Sequence, residues 1–188
     1  MRCKGMIFDL DGTLLDTLDD LATASNATLS HFGFPAHPVD AYRYFVGDGL
    51  QTLIRRVIPQ DAPPTEEELT VYMEKFREIY LSTWNDHSAP YPGISEMVAS
   101  LAATDLQLAV LSNKPHDFTR LCVETYFPDH PFAFVFGQRQ GVAKKPDPAG
   151  ALAIAEMMGL GVEEILYVGD TATDMKTGNG AVSYTHLR

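Results

Sequence analysis

The chain has 188 residues, of which 45% are hydrophobic, and this is enough for one sizeable core with a smaller appended module. Its formal net charge is −11, and its longest basic runs are the pairs Arg55 with Arg56 and Lys144 with Lys145. Nucleic acids and anionic membranes attract clustered Lys and Arg, so this pattern argues against both as partners. No apolar run approaches the ~20 residues of a membrane span.

The two cysteines, Cys3 and Cys122, lack the spacing typical of a metal site or a disulfide. Cys122 falls on the apolar face of a predicted helix, which favours a buried and inert thiol. Cysteines of this kind are typical of a reducing compartment. No long apolar stretch follows the basic residues near the N-terminus, so no signal peptide is expected. We therefore predict a cytoplasmic protein.

The first half of the chain predicts one strand followed only by helices. Residues 6–10 form a short apolar run typical of a buried strand, and residues 17–32 have helical spacing with Gly33 as a stop. A second helix is predicted over 50–58. Residues 65–68 have the pattern of a capping box, which opens a third helix. The inner face of that helix is predicted to contain Leu69, Tyr72, Met73, Phe76, Tyr80 and Trp84.

The second half of the chain alternates helices with strands. The predicted elements are strands over 106–111, 132–136 and 165–168, and helices over 94–101, 118–126 and 149–158. Such alternation indicates a parallel sheet with helical crossovers, so the predicted fold class is α/β with a doubly wound parallel sheet. The helical stretch is then an insertion after the first strand. We predict an α/β core of residues 1–15 and 90–181 and a helical cap of residues 16–89.

Polar residues fall where the predicted strands end. They are Asp9 and Asp11 after the first strand, Ser112, Asn113 and Lys114 after the second, Lys145 after the third, and Asp170 and Asp174 after the fourth. Ligands of open parallel sheets bind beyond the carboxyl ends of the strands. We therefore expect these side chains to converge on one edge of the sheet.

Clustered carboxylates favour a hard divalent cation, and Mg²⁺ is the predicted cofactor. The cation would offset the repulsion between Asp9 and Asp11, which lie two residues apart. Ser112 and Lys145 could then bind further oxygens of a phosphoryl group, because phosphoryl transfer needs mainly positioning and charge neutralisation. One carboxylate can act as the nucleophile, and a second can protonate the leaving oxygen and later activate water.

The motifs at these strand ends resemble, in order, the four motifs of the haloacid dehalogenase superfamily. They are Asp9-Leu10-Asp11-Gly12-Thr13, Ser112-Asn113, Lys145-Pro146 and Gly169-Asp170-Thr171-Ala172-Thr173-Asp174. The helical insertion resembles the helical cap of that superfamily, and the match covers residues 6–181. The chain is most similar to the phosphoglycolate phosphatase-like group, through Leu15-Asp16-Thr17, Ser112-Asn113-Lys114-Pro115 and Lys145-Pro146-Asp147-Pro148.

The resemblance implies a role for each matching residue. Asp9 would be the nucleophile, and Asp11 would be the general acid and then the general base. The phosphoryl group would be held by Ser112 and Lys145, with Asn113 in support. The Mg²⁺ ligands would be Asp9, the backbone carbonyl of Asp11, Asp170, and Asp174 either directly or through water.

The last residues, 182–188, break the pattern before them. They resemble the translation of a transposon adapter used to prepare sequencing libraries, and processing scars are left out of fold reasoning. On this interpretation the native chain stops at Ala181 and is truncated at its C-terminus; the alternative is a natural polar tail. The superfamily continues here with a further edge strand and a helix. We therefore expect the sheet to lack an edge strand, and we give His186 no role.

Several of these residues have a plainer interpretation. Asp9 and Asp11 precede a glycine and could be turn residues, and Ser112 could cap a following helix. Asp174 could be a first-turn helix acid.

The cap carries its own alternatives. Arg55 or Arg56 could bind a substrate carboxylate, although a solvated helix face is favoured. Asp16 is expected to cap the first cap helix. Residues 47–49 are either a loop that closes on the substrate or a plain helix start.

The predicted function is an Mg²⁺-dependent phosphomonoester hydrolase that acts on a small soluble phosphate, with 2-phosphoglycolate first among the substrates. A monomer or a small homo-oligomer is expected. A sugar phosphomutase could use the same motifs, and a catalytically silent phosphate-binding protein is the alternative of another class. Asp11 argues against a dehalogenase, and Lys75, the only cap lysine, is poorly placed for a phosphonate hydrolase.

Overall fold

The computed structural model describes residues 3–61 and 63–181 and the backbone of residues 184–187. The chain divides into two compact units, Met1–Leu15 with Pro90–Arg188, and Asp16–Ala89. The chain contains the following helices and strands. In chain order these are β1 (Gly5–Phe8), β2 (Leu15–Asp16), α1 (Leu18–His31), a 3₁₀ turn (Val39–Tyr44), α2 (Leu50–Val57), α3 (Glu66–Thr83), β3 (Ala89–Pro90), α4 (Ile94–Ala102), β4 (Gln107–Pro115), α5 (His116–Tyr126), β5 (Phe132–Gln138), α6 (Ala149–Met158), a second 3₁₀ turn (Val162–Glu164), β6 (Ile165–Gly169), α7 (Ala172–Ala181) and β7 (Tyr184–Leu187).

The first unit is built on a five-stranded sheet in the order β5-β4-β1-β6-β7, and its paired strands run parallel. β1 lies in the middle, with Gly5 opposite Gln107 on one side and Ile165 on the other. Parallel strands need crossovers, and helices α4 to α7 lie between them in sequence. The predicted α/β class with a parallel sheet is confirmed.

A buried apolar cluster holds α6 against this sheet. Ile7 and Ala109 of the two central strands are fully buried, as are Ala151 and Ile154 of the helix. Gly159 ends the helix in the left-handed conformation, at φ 67°, which glycine adopts without steric cost. The core therefore fixes the strands whose ends carry the predicted site.

The second unit is helical, with α1 and α3 as its longest elements. The capping box of α3 is present: the Glu68 N–H donates to Thr65 Oγ1 at 3.2 Å, and the Thr65 N–H donates to Glu68 Oε2 at 2.9 Å. Leu69, Phe76 and Tyr80 form the buried face. The capping box and this part of the inner face are as predicted.

Both arginines of α2 are ion-paired inside this unit. Arg55 lies 2.5 Å from Glu66, and Arg56 lies 2.5 Å from Asp48 and also donates to the carbonyl of Phe45. The second pairing ties the glycine-flanked turn at Asp48 to the helix that follows it.

The backbone of Tyr184–Leu187 forms β7, which pairs in parallel with β6 from Leu166 to Gly169. The expectation that the sheet lacks an edge strand is therefore wrong, because four residues of the tail supply an edge. Residues 182, 183 and 188 lie outside the described residues, as does the side chain of His186, so the proposed origin of the tail is not tested.

The described residues contain no helix long and apolar enough to cross a membrane. Cys122 is buried, as predicted, and Cys3 is exposed; neither forms a disulfide.

Candidate active site

The carboxyl ends of β1, β4 and β6 and the loop before α6 carry the predicted site residues. Asp9 directly follows β1, Ser112 lies near the end of β4, and Asp170 directly follows β6. Since these three strands are neighbours in a parallel sheet, their ends meet at one edge.

Asp9 is almost completely buried. Its backbone N–H donates to the carbonyl of Val168 at 2.9 Å, which continues the pairing between β1 and β6. Its Oδ1 is ion-paired with Lys145 Nζ at 2.7 Å. Beyond this ion pair, Oδ1 has no hydrogen-bond partner among the described residues. The Lys145 ammonium therefore holds the carboxylate at the sheet edge.

The Lys145 ammonium lies between two buried carboxylates. Its Nζ is 2.7 Å from Asp9 Oδ1 and donates to Asp174 Oδ1 at 2.7 Å. Burial opposes the charged form, but the Asp9 and Asp174 carboxylates outweigh this effect and raise the pKa of Lys145 well above its usual value. Lys145 is therefore a permanent positive charge beside Asp9.

The Asn113 side chain forms two hydrogen bonds with the backbone of Lys145. Its side-chain amide donates to the Lys145 carbonyl at 3.0 Å and accepts from the Lys145 N–H at 2.9 Å. Both groups are buried. The predicted supporting role of Asn113 thus has a specific form here: its side chain positions the lysine that faces the carboxylates.

Asp174 is fully buried and saturated with hydrogen bonds. Oδ1 accepts from Lys145 Nζ and from the Tyr167 hydroxyl at 3.3 Å, and Oδ2 accepts from the N–H and the hydroxyl of Thr171. Burial would raise the pKa of Asp174, but Lys145 and the Thr171 hydrogen bonds lower it overall. Asp174 is thus an ionised anchor for Lys145.

Asp170 follows β6 and faces the glycine turn of the first motif. Thr13 Oγ1 donates to Asp170 Oδ1 at 2.9 Å. Gly12 has φ +85°, and a Cβ at this position would collide with the Asp170 carboxylate, so glycine is needed on both counts. Burial chiefly, and then the Asp174 charge, raise the pKa of Asp170.

Ser112 is buried, and its Oγ accepts the Lys114 N–H at 3.2 Å. As an acceptor in that contact, the hydroxyl keeps its hydrogen for donation. Ser112, Asn113 and Lys145 also line a small pocket together with residues of β5, such as Phe136, and none of the four aspartates of the site lines it.

The remaining carboxylate, Asp11, pairs with Lys114. The Lys114 ammonium donates to Asp11 Oδ1 at 3.0 Å. We predicted no role for Lys114, Tyr167, Thr171 or Thr13. One signal was available, because Thr171 and Asp174 have the spacing of a capping box, and the Asp174 N–H does donate to Thr171 Oγ1.

The residues present fit a divalent cation. One carboxylate oxygen each from Asp9, Asp170 and Asp174 lie within 4.8 Å of one another, and oxygen is the ligand that hard cations prefer. With Asp11 included, the site has four carboxylates. Lys114 and Lys145 supply two ammonium groups, so the carboxylates are in excess. A divalent cation would balance the remaining negative charge.

The protonation of Asp9 predicts how stability depends on pH. Burial, opposed by Lys145 and reinforced by Asp174 and Asp170, raises the pKa of Asp9 from 3.8 to about 7. Between these pH values the folded chain holds a proton that the unfolded chain has released, so the free energy of unfolding should fall as pH rises. Urea denaturation at a series of pH values, with a chelator present, measures this slope.

Asp9→Asn is the control for this titration. The variant has no carboxylate to titrate at this position, so its unfolding free energy should fall less steeply between about pH 4 and about pH 7. An identical slope in both proteins would contradict the assignment of a raised pKa to Asp9.

Comparison with known proteins identifies the family. Residues 6–183 match the sequence model of the haloacid dehalogenase-like hydrolase family. The chain belongs to this family. The resemblance found in the four sequence motifs is thereby confirmed.

Curated relatives are named phosphoglycolate phosphatase. The protein of Chromobacterium violaceum is 32% identical over 185 residues, which is 95% of this chain and 81% of that protein. The protein of Pseudomonas putida is 31% identical over 183 residues, which is 94% of this chain but only 65% of its own length. The chain therefore spans slightly less than two thirds of that relative.

Solved structures agree with the family. A structure from Haemophilus somnus, described as a predicted phosphoglycolate phosphatase, has a TM-score of 0.89 at 27% identity and covers 98% of this chain and 88% of its own. The chain is thus similar to proteins named phosphoglycolate phosphatase in sequence and to this predicted phosphoglycolate phosphatase in structure.

Proposed function

We propose that this hydrolase cleaves phosphomonoesters of small soluble molecules, with Mg²⁺ as cofactor and with Asp9 as nucleophile. The observation that carries the proposal is the buried Asp9 carboxylate, held 2.7 Å from the charged Lys145 ammonium at the edge where the strands of the parallel sheet end. A carboxylate can attack phosphorus as a nucleophile, and a phosphoryl group needs a fixed cation beside it.

In the proposed reaction, an Asp9 oxygen attacks phosphorus and the ester P–O bond breaks, which forms an aspartyl-phosphate. Ser112 would donate to one phosphoryl oxygen and Lys145 would neutralise another. Their fixed positions support this role, because Asn113 holds the Lys145 backbone and Asp174 holds its ammonium.

Asp11 is proposed as the general acid of the first step and the general base of the second. It would protonate the leaving oxygen and then take a proton from the water that hydrolyses the aspartyl-phosphate. Its carboxylate is partly exposed, with 19% of the side-chain surface accessible, whereas that of Asp9 is buried. This contrast supports giving the two aspartates different tasks.

The cation would be held by the carboxylates of Asp9 and Asp170 and by the carbonyl of Asp11. Asp174 already accepts four hydrogen bonds, so we propose that it contacts the cation through water rather than directly. When bound, Mg²⁺ offsets the negative charge of the phosphoryl group and of the attacking carboxylate.

The first substrate to test is 2-phosphoglycolate, because the relatives from Chromobacterium violaceum and Pseudomonas putida are named for it. We also propose a cytoplasmic location, in keeping with two free cysteines.

The test is phosphate release from a panel of small phosphate esters, with Mg²⁺ and with a chelator. We expect release that requires Mg²⁺ and is fastest for the preferred ester. Isomer formation without free phosphate would instead indicate a phosphomutase. Phosphate binding without turnover would indicate a silent binding protein, and either result would overturn the proposed hydrolysis.

A further inference from the structure

Lys114 is a buried charge that the proposed reaction does not use. Only 2% of its side-chain surface is exposed, against 19% for its partner Asp11. Burying an ammonium group is costly unless an anion and good hydrogen bonds compensate it. The contact between Lys114 Nζ and Asp11 Oδ1, at 3.0 Å, supplies such compensation.

The backbone of Lys114 is held firmly. Its N–H donates to Ser112 Oγ at 3.2 Å, and its carbonyl accepts from Thr119 Oγ1 at 3.1 Å. The neighbouring strand is close as well, because a Cβ at Gly137 would lie 2.8 Å from the Lys114 carbonyl oxygen. The lysine therefore extends toward Asp11 from a rigid strand end.

We infer that Lys114 is the positioning residue for Asp11: its buried ammonium holds Oδ1 and so fixes the orientation of the carboxyl group that exchanges protons with the substrate. The inference rests on the proposed function, because it assigns the orientation of its general acid.

The proton transfers of Asp11 accompany the bond changes at phosphorus. In the first half-reaction, the Asp9 O–P bond forms, the ester P–O bond breaks, and the proton on the Asp11 carboxyl group moves to the leaving oxygen. In the second, a water oxygen bonds to phosphorus, the Asp9 O–P bond breaks, and a proton of that water returns to the Asp11 carboxylate. Lys114 gains and loses no atoms in either step.

The test compares leaving groups in the Lys114→Met variant. An alkyl leaving group needs protonation as it departs, whereas nitrophenolate departs as a stable anion. We measure kcat/KM, which reports the first half-reaction, for 2-phosphoglycolate, glycerol 1-phosphate and p-nitrophenyl phosphate. Loss of a positioned general acid should lower kcat/KM for both alkyl esters by about 10²-fold and should change it little for the aryl ester.

Two further variants complete the comparison. Lys176→Met makes the same substitution at an exposed lysine of the same unit and should leave all three values unchanged. Lys114→Arg keeps a positive donor and should restore part of the alkyl-ester activity. If Lys114→Met does not fold, as judged by its thermal unfolding, Lys114→Gln takes its place.

Three outcomes would overturn the inference. Equal losses on all three esters would mean that Lys114 has only a structural role. A loss confined to 2-phosphoglycolate would mean that Lys114 binds the substrate carboxylate. Failure of the wild-type chain to release phosphate from any of the esters would remove the proposed function, and the inference with it.

Discussion

Asp9→Asn is expected to abolish turnover while the fold is retained. The amide oxygen cannot form an acyl phosphate as a carboxylate does, so the loss in kcat should be about 10⁴-fold or more. Asn has almost the volume of Asp, and at position 9 it also removes a buried group that is costly to ionise. Phosphate release and thermal unfolding, measured on the same preparation, check both parts.

The matched control for this variant is Asp105→Asn, an exposed aspartate in the same unit. It should keep wild-type activity and stability. Substantial Mg²⁺-dependent release from Asp9→Asn would show that Asp9 is not the nucleophile.

Lys145→Met should damage both activity and stability. The substitution leaves the Asp9 and Asp174 carboxylates facing each other without the ammonium that each of them contacts at 2.7 Å. Breaking a buried ion pair by removing one partner typically costs about 3–5 kcal/mol. Because Lys145 is also the proposed phosphoryl ligand, KM should rise and kcat should fall.

Lys144→Met provides the comparison, since it removes the same charge one residue away from a half-buried side chain. Urea denaturation of the two variants separates the contribution of the buried position from a general effect of charge. If the unfolding free energies of both variants match the wild type, the buried ion pairs of Lys145 do not stabilise the fold as the structure indicates.

Local signals explain why much of the fold could be predicted from the sequence. The helix predicted over 149–158 is found as Ala149–Met158, because Pro148 precedes it and Gly159 ends it. The strand predicted over 165–168 is β6 within one residue. The sequence also predicts which polar residues converge, because parallel strands bring their carboxyl ends to one edge of the sheet.

Long-range side-chain contacts could not be predicted in this way. Asp11 and Lys114 are 103 positions apart in the sequence, and the hydrogen-bonded residues Asn113 and Lys145 are 32 positions apart. Such contacts depend on the lateral distance between strand ends, which no residue pattern encodes. The missed edge strand has a related cause, since β7 depends on pairing with β6 and not on an apolar run of its own.

The central position of β1 has a consequence for synthesis on the ribosome. This strand is made first, yet its partners are β4, which begins at Gln107, and β6, which begins at Ile165. The helical unit Asp16–Ala89 is contiguous and can become compact in the meantime. Pairing across such long separations is slow, because loop closure precedes any gain from contacts. The nascent chain should therefore bind no phosphate until β6 has emerged, and its middle strand should need protection from other chains until then.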